Sequence, residues 1–357
     1  MTGHKKKLPR WAWILIKLAI AAAVVLLMFR KGLIHLEKAD LAAALANWRV
    51  LLYALAVLLL GVLLQSVRWG LLLRPHGIRL RLLDLFMLMM TGQFFTLIAP
   101  GGIGGDAVKA YYVTRGRTKK TEAAITVFLD RFLGLATMLL VATVMVALTL
   151  RDLWHRRVDH LNWFGQPGGR VLVLLIAAAA IVTAALALLV MSRRLRQTGL
   201  LSWASRALPF RGLLLRTYRA LHLYRDHPGS LAAALAVSVA AQIPLYLSYY
   251  LYGIAVGAHI EPWHCALIVP PAMVIRVLPL SLGGAGQGFI AMSLLFPLVG
   301  VTKGAAIGAV GDAMYFVLYL VSGLFFLFGH TSYHEFRKAA DQAAEENTTP
   351  PQEPPAP

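Results

Sequence analysis

Residues 82–106 read Leu82-Leu83-Asp84-Leu85-Phe86-Met87-Leu88-Met89-Met90-Thr91-Gly92-Gln93-Phe94-Phe95-Thr96-Leu97-Ile98-Ala99-Pro100-Gly101-Gly102-Ile103-Gly104-Gly105-Asp106. An apolar run from Leu82 to Ala99 stops at a proline and a cluster of glycines. Proline removes a helical hydrogen bond and glycine is a poor helix former, so the helix ends there and frees backbone polar groups. Inside a bilayer such groups are tolerated only where protein or a wet cavity satisfies them. The stretch therefore reads as a re-entrant helical hairpin. A second stretch, Cys265 to Leu298, is broken in its middle by Pro279-Leu280-Ser281-Leu282-Gly283-Gly284-Ala285-Gly286-Gln287-Gly288 and reads the same way.

Around the hairpins lie apolar runs of full membrane-spanning length, about 20 residues each. They are Trp11 to Phe29, Val50 to Leu73, Glu122 to Leu150, Val171 to Met191, Leu231 to Val256 and Ala305 to Phe328. The first follows Lys5, Lys6, Lys7 and Arg10 but is too long for a signal-peptide core and lacks a small-residue cleavage site, so it is expected to be retained. Composition agrees. The 357 residues are 59% apolar and 14% charged, against about 25% charged in soluble proteins, which excludes an ordinary soluble enzyme. The expected fold is an all-α polytopic membrane protein with about six full spans and two re-entrant helical hairpins arranged as inverted repeats. Its divisions are a basic N-terminus over 1–10, a first membrane repeat over 11–150 with its hairpin at 82–106, and a second over 151–330 with its hairpin at 265–298. A disordered tail is expected over 331–357, rich in Pro, Glu, Thr and Gln.

Charge orients these spans. Thirty-five Lys and Arg stand against 16 Asp and Glu, a formal net charge of +19. Such a balance suits nucleic acid or an anionic membrane surface, and the apolarity decides for the membrane. With the N-terminus in the cytoplasm, 23 of the 35 basic residues fall on the cytoplasmic side, counting Arg68 to Arg81 among them, and nine fall outside. This obeys the positive-inside rule and places both termini in the cytoplasm. A full crossing at 82–106 would move Lys109 to Lys120 outside and weaken the bias. Segment 192–228 interleaves eight arginines with Leu200, Trp203, Leu208, Leu213, Leu214, Tyr218, Leu221 and Tyr224. It reads as short helices lying in the cytoplasmic interface, with a solvated basic loop as the alternative.

The repeat has a local signature. Ala123 to Asp130 matches Ala305 to Asp312 at four of eight positions, 182 residues apart, and each copy opens the span after a hairpin. The assigned spans run in opposite directions in the two halves. Inverted repeats of this kind recur in transporters, with the binding site at the repeat interface and built by interrupted helices.

Chemistry concentrates at the same places. Clustered glycines at helix ends let amides converge on an anion, so Gly101, Gly102, Gly104, Gly105, Ser281, Gly283, Gly284, Gly286 and Gln287 are candidate phosphate contacts. Close packing of helices through small residues is the alternative. Ionisable groups inside spans are costly and are functional candidates. Asp130 lies eight residues into its span, about 12 Å deep, and Arg131 follows it. Adjacent residues point about 100° apart on a helix, so each needs another partner. Arg131 and Arg276 are expected to meet a lipid phosphate. Asp106, Asp130 and Asp312 are expected to orient those cations or to bind an amine or a proton, and Asp106 and Lys109 close the first glycine cluster. Structural ion pairs holding the hairpins are the alternative. The lone Cys265 excludes an internal disulfide, and no HExxH, GxSxG or P-loop occurs, so no metal, cofactor or catalytic centre is expected.

Three motifs together resemble the lysylphosphatidylglycerol synthase transmembrane-region family, also described as flippase-like. They are Pro100-Gly101-Gly102-Ile103-Gly104-Gly105-Asp106 with Lys109, then Asp130-Arg131-Phe132-Leu133-Gly134-Leu135, then Pro279-Leu280-Ser281-Leu282-Gly283-Gly284-Ala285-Gly286. The resemblance implies a bacterial inner-membrane protein similar to the domain that moves aminoacylated phosphatidylglycerol between leaflets, or to members that take part in export of other lipids. Gln287 stands where the family often has an acidic residue. After Phe328 only a short tail follows, so the aminoacyl-transferring domain is not expected in this chain. The leading expectation is translocation or export of a lipid with an anionic or lipid-linked headgroup, without enzyme activity. The alternatives are a membrane-embedded transferase acting on a lipid-linked substrate, and a non-transporting subunit that recruits lipid-synthesis enzymes. Expected partners are membrane lipids rather than nucleic acid, with a homodimer or lipid-pathway enzymes as further candidates.

Overall fold

A computed structural model describes residues 37–98, 103–114, 120–155, 162–163, 166–191, 224, 227–277 and 286–328. The expected first span, most of the interfacial segment, the tail, and Gly101, Gly102, Ser281, Gly283 and Gly284 lie outside these residues.

The chain is helical. Helix α1 (Lys38–Ala46) leads into α2 (Trp48–Leu73), which ends in a 3-10 turn at Arg74–His76. Helices α3 (Leu82–Ile98) and α4 (Ile103–Thr114) form the first hairpin, followed by the long α5 (Lys120–His155). A two-residue ribbon, Asn162–Trp163 (β1) against Gln166–Pro167 (β2), precedes α6 (Gly168–Met191) and is the one departure from an all-α reading among the described residues. Then come α7 (Pro228–Ala240), α8 (Gln242–Ala255), the second hairpin α9 (Pro262–Val277) and α10 (Gln287–Leu295), and α11 (Gly304–Phe328).

Four segments are long and apolar enough to cross a membrane: Trp48–His76, Ile125–Arg151, Pro228–Ala255 and Gly304–Phe326. They coincide with the expected second, third, fifth and sixth spans, and the fourth falls in the 24-residue α6. Large apolar side chains are exposed along them, including Tyr53, Leu60, Leu148, Val239, Ile243, Leu320 and Leu324. Water does not favour such a surface, whereas lipid does. The hairpin helices are shorter. At 1.5 Å per residue, the 17 residues of α3 and 12 of α4 span about 26 and 18 Å, against a hydrocarbon core of about 30 Å.

Small residues set how closely these elements approach. At the first hairpin a Cβ on Gly105 would lie 2.6 Å from the Thr96 hydroxyl, and one on Gly92 would lie 3.2 Å from the Gly105 carbonyl. In the second half, a Cβ on Gly308 would come within 2.8 Å of the Phe289 backbone. Between the halves, Phe94 stacks on Phe326 and Phe86 meets Phe325 edge-on, which packs α3 on α11. The core at the centre holds Trp69, Met90, Tyr249, Tyr252, Met292, Phe296 and Ile307, all fully buried.

The packing partners exchange between the halves. Helix α3 of the first hairpin packs on α11, and α9 of the second packs on α5; α4 packs on α5 and α10 on α11; α2 packs on α8. At one end, buried Asp40 of α1 pairs with Lys303 at 2.8 Å, and Lys303 also donates to the Val256 carbonyl at the end of α8. The pair ties the first turn of α1 to the residue that precedes α11.

Candidate functional site

Asp130 and Arg131 are neighbours on α5, and the helical turn between them sends one inward and one outward. Asp130 is buried, with a side chain 3% exposed, while that of Arg131 is 47% exposed. As the 100° argument requires, each has a separate partner. The Arg68 Nε of α2 donates to Asp130 Oδ1 at 2.7 Å, and the Lys109 Nζ of α4 stands 3.7 Å from its Oδ2. Arg131 Nε lies 3.0 and 2.9 Å from the two carboxylate oxygens of Asp106. Lys109 Nζ, 3.2 Å from Asp106 Oδ1, links the two pairs into one network. The network carries three cations and two carboxylates and joins α2, α4 and α5.

The surroundings fit those groups. Gly134 makes room for Arg68, since a Cβ there would lie 3.0 Å from its Nη1, and the Ser238 hydroxyl of α7 lies 3.4 Å from the same nitrogen. Lys109 stands 5.6 Å over the Trp69 ring, a cation–π distance, and the Trp69 indole donates to Thr126 on α5. Below the network, Tyr224 donates to the Leu72 carbonyl, one of the last four of α2 that lack a helical partner. Burial pushes the Tyr224 phenol above its ordinary pKa, which keeps it a donor.

The second hairpin is closed differently. Arg276, at the end of α9, pairs with Asp312 of α11 and lies 4.0 Å over the Tyr315 ring. The other Asp312 oxygen accepts the backbone N–H of Gly286 at 2.9 Å and of Phe289 at 3.1 Å. Gly286 has φ +77°, a conformation that favours glycine. The carboxylate thus caps the N-terminus of α10, where the dipole favours negative charge. Of the amides read from sequence as a phosphate cradle, that of Gly286 is occupied by the chain's own Asp312. Gly288 leaves space for the pair, because a Cβ there would lie 2.7 Å from Arg276 Nη1. Gln287 is buried at the first residue of α10.

Several expectations are sharpened by this geometry. Asp106 holds Arg131 and Asp312 holds Arg276, but Asp130 holds Arg68 and Lys109 instead of its neighbour. Gly105 packs the hairpin, and Gly104 is half-buried beside it. Among the described residues no ion pair connects the two networks. Arg68 is the residue that sequence reasoning missed: the structure places it within α2 rather than among the cytoplasmic loop charges. Its side chain is 6% exposed inside the span. The signal was present, since Arg68 precedes the end of the apolar run by more than a helical turn.

Comparison with known families bears on the same residues. The family model described as the lysylphosphatidylglycerol synthase TM region matches residues 14–326. The chain belongs to this family. The match covers both hairpins, all four membrane-capable segments and both ion networks. Membership in the lysylphosphatidylglycerol synthase TM-region family makes this a multi-pass membrane protein of a group associated with lipid biosynthesis or flippase-like function. No curated protein and no solved structure matches the chain.

Proposed function

We propose that this chain translocates a lipid between leaflets, passing an anionic or lipid-linked headgroup through polar ground between its helices while the acyl chains stay in the bilayer. The observation that carries the reading is the Arg68–Asp130–Lys109–Asp106–Arg131 network, a chain of charges with one cation in excess beside the apolar span Ile125–Arg151. Charged side chains at membrane depth are costly, and a protein that keeps five together has a use for them. The family supports the lipid substrate class.

Inverted repeats support the transport reading. Interchanging the halves preserves which elements pack together, and at the offset of 182 residues Gly101, Gly102 and Gly104 fall on Gly283, Gly284 and Gly286. The two hairpins are read as re-entrant, with the Lys120 end of α5 and both termini facing the cytoplasm, in a bacterial inner membrane.

The test is reconstitution into liposomes with headgroup-labelled phosphatidylglycerol and an impermeant reductant. Headgroups of the inner leaflet are expected to become accessible faster than in empty vesicles. Lys109→Gln is expected to slow that exchange roughly tenfold, the equivalent of about 1.4 kcal/mol for a lost charge-assisted contact. If labelled headgroups cross no faster than in empty vesicles under imposed pH or voltage gradients, the translocase reading falls. A membrane-embedded transferase and a recruiting subunit then stand in its place.

A further inference from the structure

The charges of the first network form a path of graded burial. Side-chain exposure falls from 47% at Arg131 to 28% at Asp106, then to 7% at Lys109, 3% at Asp130 and 6% at Arg68. The outer end opens onto the surface of α5. Phe128 and Leu135 are exposed there, 60% and 37%. The spacing 128, 131, 135 puts them on one helical stripe with Arg131 between them. On α4, which packs against α5, Tyr111 is exposed as well. A guanidinium framed by exposed aromatic and aliphatic side chains, about 9 Å along the apolar span that begins at Ile125, lies on a bilayer-facing surface.

The fold does not require this arrangement. At the 182-residue offset the positions of Arg131, Asp106 and Lys109 are taken by Ala313, Gly288 and Ala291, while Asp130 falls on Asp312. Ala313 is exposed, as Arg131 is, but uncharged. The second half therefore keeps the carboxylate, part-buried, and holds it with Arg276 and two backbone amides. The first half leaves its network open to the lipid.

Charge identifies the occupant. Three cations and two carboxylates leave the network one positive charge in excess, which a phosphodiester monoanion neutralises. Asp106 is shared between Arg131 and Lys109, so a phosphate that takes Arg131 leaves the carboxylate on Lys109 without stranding either group. We infer that an anionic phospholipid enters the network sideways from the bilayer between α4 and α5, its phosphate engaging Arg131 in place of Asp106. This rests on the lipid-headgroup reading of the same network and adds the route and the first contact. The leaflet is the one that holds the Lys120 end of α5.

A bimane probe at Phe128→Cys in a Cys265→Ser background, reconstituted with brominated-acyl lipids, tests the route. Quenching by phosphatidylglycerol is expected to exceed quenching by phosphatidylcholine roughly fivefold in effective affinity, the contribution of one basic residue facing an anionic lipid. Arg131→Gln should abolish the preference, Arg131→Lys should retain part of it, and Asp106→Asn should enlarge it by releasing Arg131. A probe at Val317→Cys, the counterpart of Leu135 in the second half, should show no preference. Equal quenching by the two lipids at Phe128→Cys, or a preference indifferent to Arg131→Gln, overturns the inference. Loss of the preference on adding soluble glycerol 1-phosphate also overturns it, because the ligand is then a free phosphate ester. Headgroup transfer measured on the same vesicles separates the two readings: transfer without a probe preference sinks the lateral route alone, and a preference without transfer supports the route and sinks the translocase.

Discussion

Arg68 and Asp130 are 62 positions apart in the chain and 2.7 Å apart in space. Both side chains are almost wholly buried. Taking two charges out of water is expensive, so the pair is weak evidence of net stability, but removing one partner strands the other. Arg68→Ala is expected to cost about 3–5 kcal/mol, and adding Asp130→Asn should recover part of the loss. Unfolding midpoints in mild detergent for the two single variants and the double variant form the check. A double variant no better than Arg68→Ala would show that the pair is not coupled. Asp130 was legible in the sequence because a carboxylate inside an apolar run is conspicuous. Arg68 was less so, because it lies near a helix end where loop arginines cluster, and only the approach of α5 and the space at Gly134 decide that it turns inward.

Elements were more legible than contacts. Proline followed by clustered glycine marked both hairpins, since together they disfavour the helix more than either does alone, and Pro270 and Pro271, with no glycine beside them, are carried inside α9. What the glycines do was open, between holding an anion and packing helices. Gly105 and Gly92 pack α3 on α4, whereas Gly286 presents its amide to Asp312. Gly105→Ala is expected to lower the unfolding midpoint more than Gly92→Ala, because its Cβ would clash with the Gly92 carbonyl and lie 2.6 Å from Thr96 Oγ1, whereas one on Gly92 would stay 3.2 Å from the Gly105 carbonyl. Gly229→Ala, with open space around it at the start of α7, should be neutral or stabilising by about 0.5–1 kcal/mol. Equal effects at all three positions would refute the packing account. The expected fifth span is divided at Ala241 into α7 and α8, and the Gln242 side chain there donates to the Gly134 carbonyl and Thr137 hydroxyl of α5. Nothing local in the sequence announces that contact, because it depends on where α5 lies.

Across the whole molecule, the charge bias makes a topological prediction. Exposed Arg79, after α2, and exposed Arg49, at its start, are on opposite sides of a span. In a Cys265→Ser background, Arg49→Cys should react with an impermeant maleimide in intact cells and Arg79→Cys only after permeabilisation. The reverse pattern would invert the orientation and the leaflet assigned to the lateral route. Moving Arg68 from the loop charges into the span lowers the cytoplasmic count by one and leaves its sign intact. Composition, run length and helix-breaking residues determined the membrane class, the helical elements and the two hairpins, because each depends on local chemistry that any window of the chain displays. The tertiary structure alone decided that Asp130 holds Arg68, that Asp312 accepts the amides of Gly286 and Phe289 at the start of α10, and that Arg131 is exposed where its counterpart is Ala313. Those outcomes follow from how closely distant helices approach, which is set by glycines and side-chain volumes on elements far apart in sequence.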